Sequence, residues 1–225
     1  DKLVLSIGHT APVLYATLAN AGYFPKEELK SLRKIGGRLQ GHPSFAAKLP
    51  GIESASGSLG QGLSICVGMA LSDKIDGCSR KIFCVCGDGE IQEGEVWEAA
   101  MSAAHHKLSN IIAIVDRNRL QIDGPNDEVM QLEPLRDKWQ SFGWSVYECN
   151  GNDIEELAKT FDSMSGDKPK VLIANTTMGK GVSQIEGKFQ WHGKAPNATE
   201  RDEFLPQLDS LQCTVYSSCL GPCCW

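Results

Sequence analysis

No run of about 18 apolar residues occurs in the 225-residue chain, so no segment reads as a membrane-spanning helix. Nor is there a block of lysines or arginines. With 22 basic against 28 acidic residues, a formal charge of -6 and a pI near 5.4, the chain lacks the electrostatic footprint of a nucleic-acid binder. A charged-then-apolar leader is missing as well: the chain opens Asp1-Lys2-Leu3-Val4-Leu5 and already reads as strand, as if residues preceded it. These absences predict a cytoplasmic protein whose partners are small molecules and other chains, with no nucleic acid and no membrane. No internal repeat is visible.

Regular cysteine spacing is also lacking, which removes the disulfide framework that nine cysteines could suggest. Cys66, Cys78, Cys84, Cys86 and Cys149 fall in or beside apolar segments, where a thiol acts as a small hydrophobe. Cys213, Cys219, Cys223 and Cys224 crowd the last 13 residues in a spacing that matches no usual zinc set. We therefore expect one domain over residues 1–200 and a tail over 201–225, disordered or aberrant.

What is present, from Ala11 to about Thr177, is an alternation of helical and strand periods. Helices are expected from Pro25, over 59–75, 90–108, 132–142 and 153–164, with strands over 81–86, 111–116, 145–149 and 170–176. The fold class is α/β, a mostly parallel sheet flanked by helices on both faces. Ligands of such sheets bind beyond the carboxyl ends of the strands. Two ends carry suitable residues: Gly87-Asp88-Gly89 and Asp116-Arg117-Asn118. A helix N-terminus beyond Gly89 would favour a phosphate, and a hard cation would reconcile that phosphate with the Asp88 carboxylate. Gly-Asp-Gly alone is more often an ordinary tight turn.

The wider string Gly87-Asp88-Gly89-Glu90-Ile91-Gln92-Glu93-Gly94-Glu95-Val96-Trp97-Glu98, with Asn118 30 residues after Asp88, resembles the thiamine diphosphate signature. Gln92 to Ala99 is similar to transketolases in particular. The resemblance extends to Ser6-Ile7-Gly8-His9, Gln40-Gly41-His42-Pro43, Ser56-Gly57-Ser58-Leu59-Gly60-Gln61-Gly62 and Trp191-His192-Gly193-Lys194, and it covers residues 1 to about 196. It implies a thiamine diphosphate-binding fold in which Asp88, Asn118 and the Leu120 carbonyl hold Mg2+, with Ca2+ or Mn2+ as substitutes. It implies cofactor contacts from His9, Gly57, Ser58, Leu59, Gly87, Asp88, Gly89, Asn118, His192 and Lys194. His9, His42 and His192 would act on substrate, since imidazole titrates near neutral pH and can donate to a developing alkoxide. Glu93 would join an acidic network between active sites, the alternative being an exposed helix carboxylate. His105 and His106 read as surface residues.

The resemblance also implies what lies elsewhere. The family's glutamate that activates the cofactor pyrimidine belongs to a following pyrimidine-binding domain, and the family has a further Gly-His-Pro segment upstream. The expected function is the diphosphate- and Mg2+-binding component of a transketolase of the pentose phosphate pathway type, moving a two-carbon ketol unit between sugar phosphates. The isolated chain would be inactive. Its partner would be a pyrimidine-binding domain or a C-terminal transketolase subunit, in a homodimer or heterotetramer; a piece of a longer chain and a natural split subunit remain open. Alternatives are a dihydroxyacetone synthase or 1-deoxyxylulose-5-phosphate synthase type of enzyme, or a non-catalytic cofactor-binding assembly subunit.

Overall fold

The computed structural model describes the backbone of residues 1–219 and the side chains of residues 1–209. The four late cysteines, Cys213, Cys219, Cys223 and Cys224, with the zinc reading weighed for them, lie outside the described side chains. In chain order the elements are β1 (Lys2–Leu5), α1 (Ala11–Asn20), α2 (Gln61–Ile75), β2 (Ile82–Gly87), α3 (Gly94–His105), β3 (Ile111–Arg117), β4 (Leu120–Gln121), β5 (Gly124–Pro125), α4 (Asn126–Val129), α5 (Leu135–Ser141), β6 (Ser145–Asn150), α6 (Ile154–Ser163), β7 (Lys170–Asn175) and α7 (Ala198–Cys219).

Five strands form one parallel sheet in the order β1-β2-β3-β7-β6. The central strands are apolar on both faces, as a sheet covered on both sides requires. Ile82, Cys84, Cys86, Ala113, Val115, Val171 and Ile173 pack under α2, α3 and α5, whose Leu63, Cys66, Val96, Ala100 and Trp139 are buried. On the other face Leu5 and Val85 meet Leu14, Tyr15 and Leu18 of α1. Leu172 and Ile114 on that face meet Leu157 and Phe161 of α6. At about 25 cal/mol per Å2 of apolar area removed from water, this two-sided burial is what holds the layers together. Asp153 caps α6, its carboxylate accepting from the Glu156 amide at 3.0 Å.

The chain divides into two compact units. The first holds Asp1–Arg117 and Leu132–Asn175, and includes the whole five-stranded sheet; the second holds Asn118–Gln131 and the chain from Thr176 onward. In the second, β4 and β5 form a short antiparallel ribbon, and α7 includes much of the stretch set apart as a tail. Among the described residues no helix is long and apolar enough to cross a membrane.

Two helix expectations are corrected. The segment after Pro25 is only a six-residue 3-10 turn, Lys26–Ser31, and ends where Arg33 takes a left-handed conformation and its amide bonds the Leu39 carbonyl. The continuous helix over 90–108 is broken: Glu90–Gln92 is a 3-10 turn, Glu93 is extended, and α3 starts at Gly94. The break has a physical cause. The Glu90 carboxylate turns inward to bond other segments, and the Trp97 indole closes back on the Ile91 carbonyl at 2.9 Å. The phosphate-favouring N-terminus expected directly beyond Gly89 is therefore a single tight turn.

Candidate functional site

In the first unit, backbone segments distant in sequence meet at the carboxyl ends of β1 and β2. A Cβ on Gly8 would lie 2.7 Å from the Gly57 nitrogen, and one on Gly62 would lie 2.4 Å from the Ser6 Cβ. Only glycine permits these approaches, which press the Ser6-to-His9 motif against the 56–62 turn. Gly60 precedes α2 at φ 85°, a left-handed conformation that lets the turn enter the helix. Residues 55–58 with Gln61, Gly62 and Ile65 line a cleft of about 300 Å3.

One buried acid ties the Ser6, Gly60 and Gly87 segments. Glu90 is 3% exposed; its Oε1 accepts from the Ser6 hydroxyl at 2.5 Å and the Gly60 amide at 2.9 Å, and its Oε2 from the Gly87 amide at 3.0 Å. Ser6 Oγ in turn accepts from the Gly62 amide at 3.1 Å. Burial pushes the Glu90 carboxyl above the usual glutamate range, against the lowering effect of its hydrogen-bond donors.

Asp88 follows β2 and is 1% exposed. Its Oδ1 accepts from the Gly89 amide at 2.8 Å and its Oδ2 from the Arg117 guanidinium at 3.0 Å. The register explains the meeting, since Gly87 pairs with Asp116 and the Asp88 amide reaches the Asp116 carbonyl at 3.2 Å. Arg117, 2% exposed, also grips Glu133 at 2.7 Å, and the other Glu133 oxygen accepts from the Leu135 amide. Burial works against the charged guanidinium, but Glu133 and Asp88 outweigh it and hold Arg117 above its ordinary value.

The first unit therefore brings several expected residues together. His9 follows Gly8 and is exposed; His42 is exposed, and its ring lies 3.5 Å from where a Gly57 Cβ would stand. The His42 carbonyl accepts from the buried Tyr15 hydroxyl at 3.3 Å. Ser58 and Leu59 are exposed on the turn. Glu93 is exposed too, with its Cβ 3.0 Å from a built Gly60 Cβ. His105 and His106 stack edge to face at the end of α3.

The second unit carries the other candidates. Asn118 Oδ1 accepts from the Leu120 amide at 2.9 Å, and Leu120 begins β4. His192 is half-buried after the Phe189–Trp191 turn. Lys194 lies 3.8 Å over the Trp191 ring and bonds Glu200 at 2.8 Å. Asn197 and Glu200 cap α7 reciprocally at 2.8 and 2.9 Å.

The donor chemistry fits a hard divalent cation. Mg2+ takes oxygen ligands, and a carboxylate offers about four lone-pair directions over two oxygens. Asp88, Arg117 and Glu133 together sum to one negative charge, which attracts a cation rather than repelling it. Sequence reasoning missed Glu90, Arg117 and Glu133 as parts of this arrangement. Glu90 and Arg117 gave only the signal of a charge near a strand end, Glu133 stands in the loop before α5, and nothing local shows which segments such charges will bond.

Comparison with known proteins shows the family. A family model described as the thiamine diphosphate binding domain of transketolase matches residues 1–208. An apulose-4-phosphate transketolase subunit of Phocaeicola vulgatus is 46% identical over 210 residues, covering 92% of this chain and 74% of that protein. The transketolase of Rattus norvegicus is 44% identical over 211 residues, covering 93% of this chain and 33% of that protein. The crystal structure of transketolase from Campylobacter jejuni superposes with a TM-score of 0.87 at 35% identity, covering 93% of this chain and 34% of that one. The chain thus spans about a third of the rat and Campylobacter enzymes and about three quarters of the Phocaeicola protein. It belongs to the transketolase family, as that family's thiamine diphosphate-binding domain.

Proposed function

We propose that this chain is the diphosphate-holding component of a ketol transferase acting on sugar phosphates, and that it works with a pyrimidine-binding partner, either a further domain or a separate subunit. The observation that carries the reading is the buried Asp88 carboxylate between two glycines at the end of β2, in the unit that also holds the close-packed glycine turn over 56–62. In this reading Asp88, Asn118 and the Leu120 carbonyl are the ligands of Mg2+, with Ca2+ or Mn2+ as substitutes. Bound thiamine diphosphate would supply the carbon nucleophile that carries the two-carbon unit.

The chain's own residues would bind and orient. Gly87 and Gly89 keep side chains away from the cofactor diphosphate, and Gly57, Ser58 and Leu59 contact its ring end. His9, His192 and Lys194 approach the cofactor from their loops. His9, His42 and His192 donate to substrate hydroxyls and oxyanions, and Glu93 carries the acidic link toward a second site. Leu59 and Met101, 38% and 58% exposed, offer apolar surface for the partner. A cytoplasmic homodimer or heterotetramer belongs to the same proposal.

The test mixes the purified chain with a candidate pyrimidine-domain partner and follows ketol transfer with and without Mg2+ and cofactor. Activity should need all components. Asp88→Ala should weaken cofactor affinity in Mg2+ by about 3 kcal/mol or more, on the scale of losing a buried charge partner. Unchanged affinity by calorimetry would refute the site.

A further inference from the structure

We propose that Arg117 is the positioning residue of the cation site: it holds the Asp88 carboxylate in place as an internal counter-charge in the metal-free chain, and Glu133 holds Arg117. The proposal rests on the cofactor reading above and adds residues that the ligand set does not include.

The geometry separates Arg117 from a residue that binds ligand itself. It is 2% exposed, and its two terminal nitrogens are taken up by different carboxylates, Asp88 at 3.0 Å and Glu133 at 2.7 Å. It is therefore spent inside the protein, and cannot swing out to a phosphate without giving up its ion pair with Asp88. A buried carboxylate without a counter-charge is strongly unfavourable, so a site built on Asp88 calls for a cation whether or not a metal is present. Arginine suits the task because its planar fork bonds two acids at once and stays charged when buried. Glu133 matters for a second reason. It neutralises Arg117, so that the triad keeps one net negative charge and still draws in a divalent cation. Groups that orient a metal ligand in this way commonly alter metal affinity when removed.

Stability is measured by urea unfolding of the full chain in EDTA, then in Mg2+, then in Mg2+ with thiamine diphosphate. The variants are Arg117→Met, Arg117→Lys, Glu133→Gln, Asp88→Asn and the double variant Arg117→Met with Asp88→Asn. In EDTA, Arg117→Met should lower the folding equilibrium constant by roughly 100-fold or more, and Asp88→Asn in that background should restore roughly tenfold or more. Effects that simply add would overturn the proposal. The Arg117→Met deficit should shrink in Mg2+ with cofactor, because the divalent ion supplies the missing counter-charge. A deficit unchanged by Mg2+, in conditions where the wild-type chain binds the cofactor, would show that Arg117 only packs, and would also overturn it.

Should Arg117→Met fail to fold, Arg117→Lys keeps a charge for Asp88 while giving up the fork that also reaches Glu133, and should fold in EDTA with a loss smaller than that of Arg117→Met. A complete failure of the lysine variant as well would count against a charge role. Glu133→Gln should weaken the apparent Mg2+ affinity measured in the presence of cofactor, and an unchanged or tighter affinity contradicts the proposal. A wild-type chain indifferent to Mg2+ and cofactor would overturn the proposed function, and the cation role of Arg117 with it; that failure is recognised because the coupling in EDTA survives.

Discussion

Replacing Glu90 with glutamine changes one oxygen to an amide nitrogen and should cost stability although shape and volume are kept. Two backbone donors fixed in space approach different oxygens of Glu90, the Gly60 amide at 2.9 Å and the Gly87 amide at 3.0 Å. A glutamine offers one carbonyl oxygen. Whichever way its amide is turned, one of those N–H groups faces an NH2 group, and an unsatisfied buried donor costs about 1–3 kcal/mol. Removing a buried charge offsets part of this at neutral pH, so we expect Glu90→Gln to lose about 1–2 kcal/mol. Glu90→Ala strands both amides and leaves a void, for about 3–5 kcal/mol.

The pH dependence has a definite sign. Burial holds the folded-state carboxyl above its unfolded value, so the native state takes up its proton first as pH falls. Wild-type stability relative to Glu90→Gln is then greatest below the usual glutamate range and declines as pH rises through the folded-state value. A protonated carboxyl still accepts from both amides, because its hydroxyl oxygen keeps a lone pair that an NH2 group lacks. Urea unfolding followed by tryptophan fluorescence from pH 4 to pH 8 reads both effects, on an axis of about that span. A glutamine variant within about 0.5 kcal/mol of wild type at all pH values would refute the reasoning.

Lys170→Met should destabilise the chain by about 2–3 kcal/mol, because the buried ammonium bonds the Ser109, Gly166 and Lys168 carbonyls. Burial lowers its folded-state value, so the wild-type advantage should grow as pH rises toward the unfolded lysine value and shrink as pH falls through the folded one, in paired thermal melts. Asn126→Leu should be neutral or stabilising by about 1 kcal/mol, since the Asn126 side chain is fully buried and neither amide atom has a partner; a loss above about 2 kcal/mol in chemical unfolding would show a hidden partner. With the pyrimidine-domain partner present, His42→Ala should lower kcat about tenfold or more while leaving thiamine diphosphate affinity within about twofold, because its proposed role is toward the substrate. Equal losses in both quantities would place His42 on the cofactor instead.

The fold class was readable because periodicity is a local property. The strands over 82–87, 111–117 and 170–175 are apolar runs long enough for a covered parallel sheet, and the segments between them carry helical spacing. Asp88 and the glycine turns stood out because glycine beside a short polar residue at a strand end marks a backbone that something must approach, and Asn118 because it follows the next such strand end 30 residues after Asp88. Tertiary structure decided what those side chains touch. Nothing in Glu90-Ile91-Gln92-Glu93 says that the first acid turns inward to join three segments while the last stays in water, so the helix expected there was broken instead. Likewise Arg117 read as part of a polar turn, and the β2–β3 register carried it to Asp88, while Glu133 met it from another part of the chain. Hydrogen bonds and ion pairs between distant segments depend on register and packing, which arise only when the whole sheet assembles. Local pattern therefore named the strand ends that could hold a ligand, and long-range packing chose the buried charges that hold those ends in place.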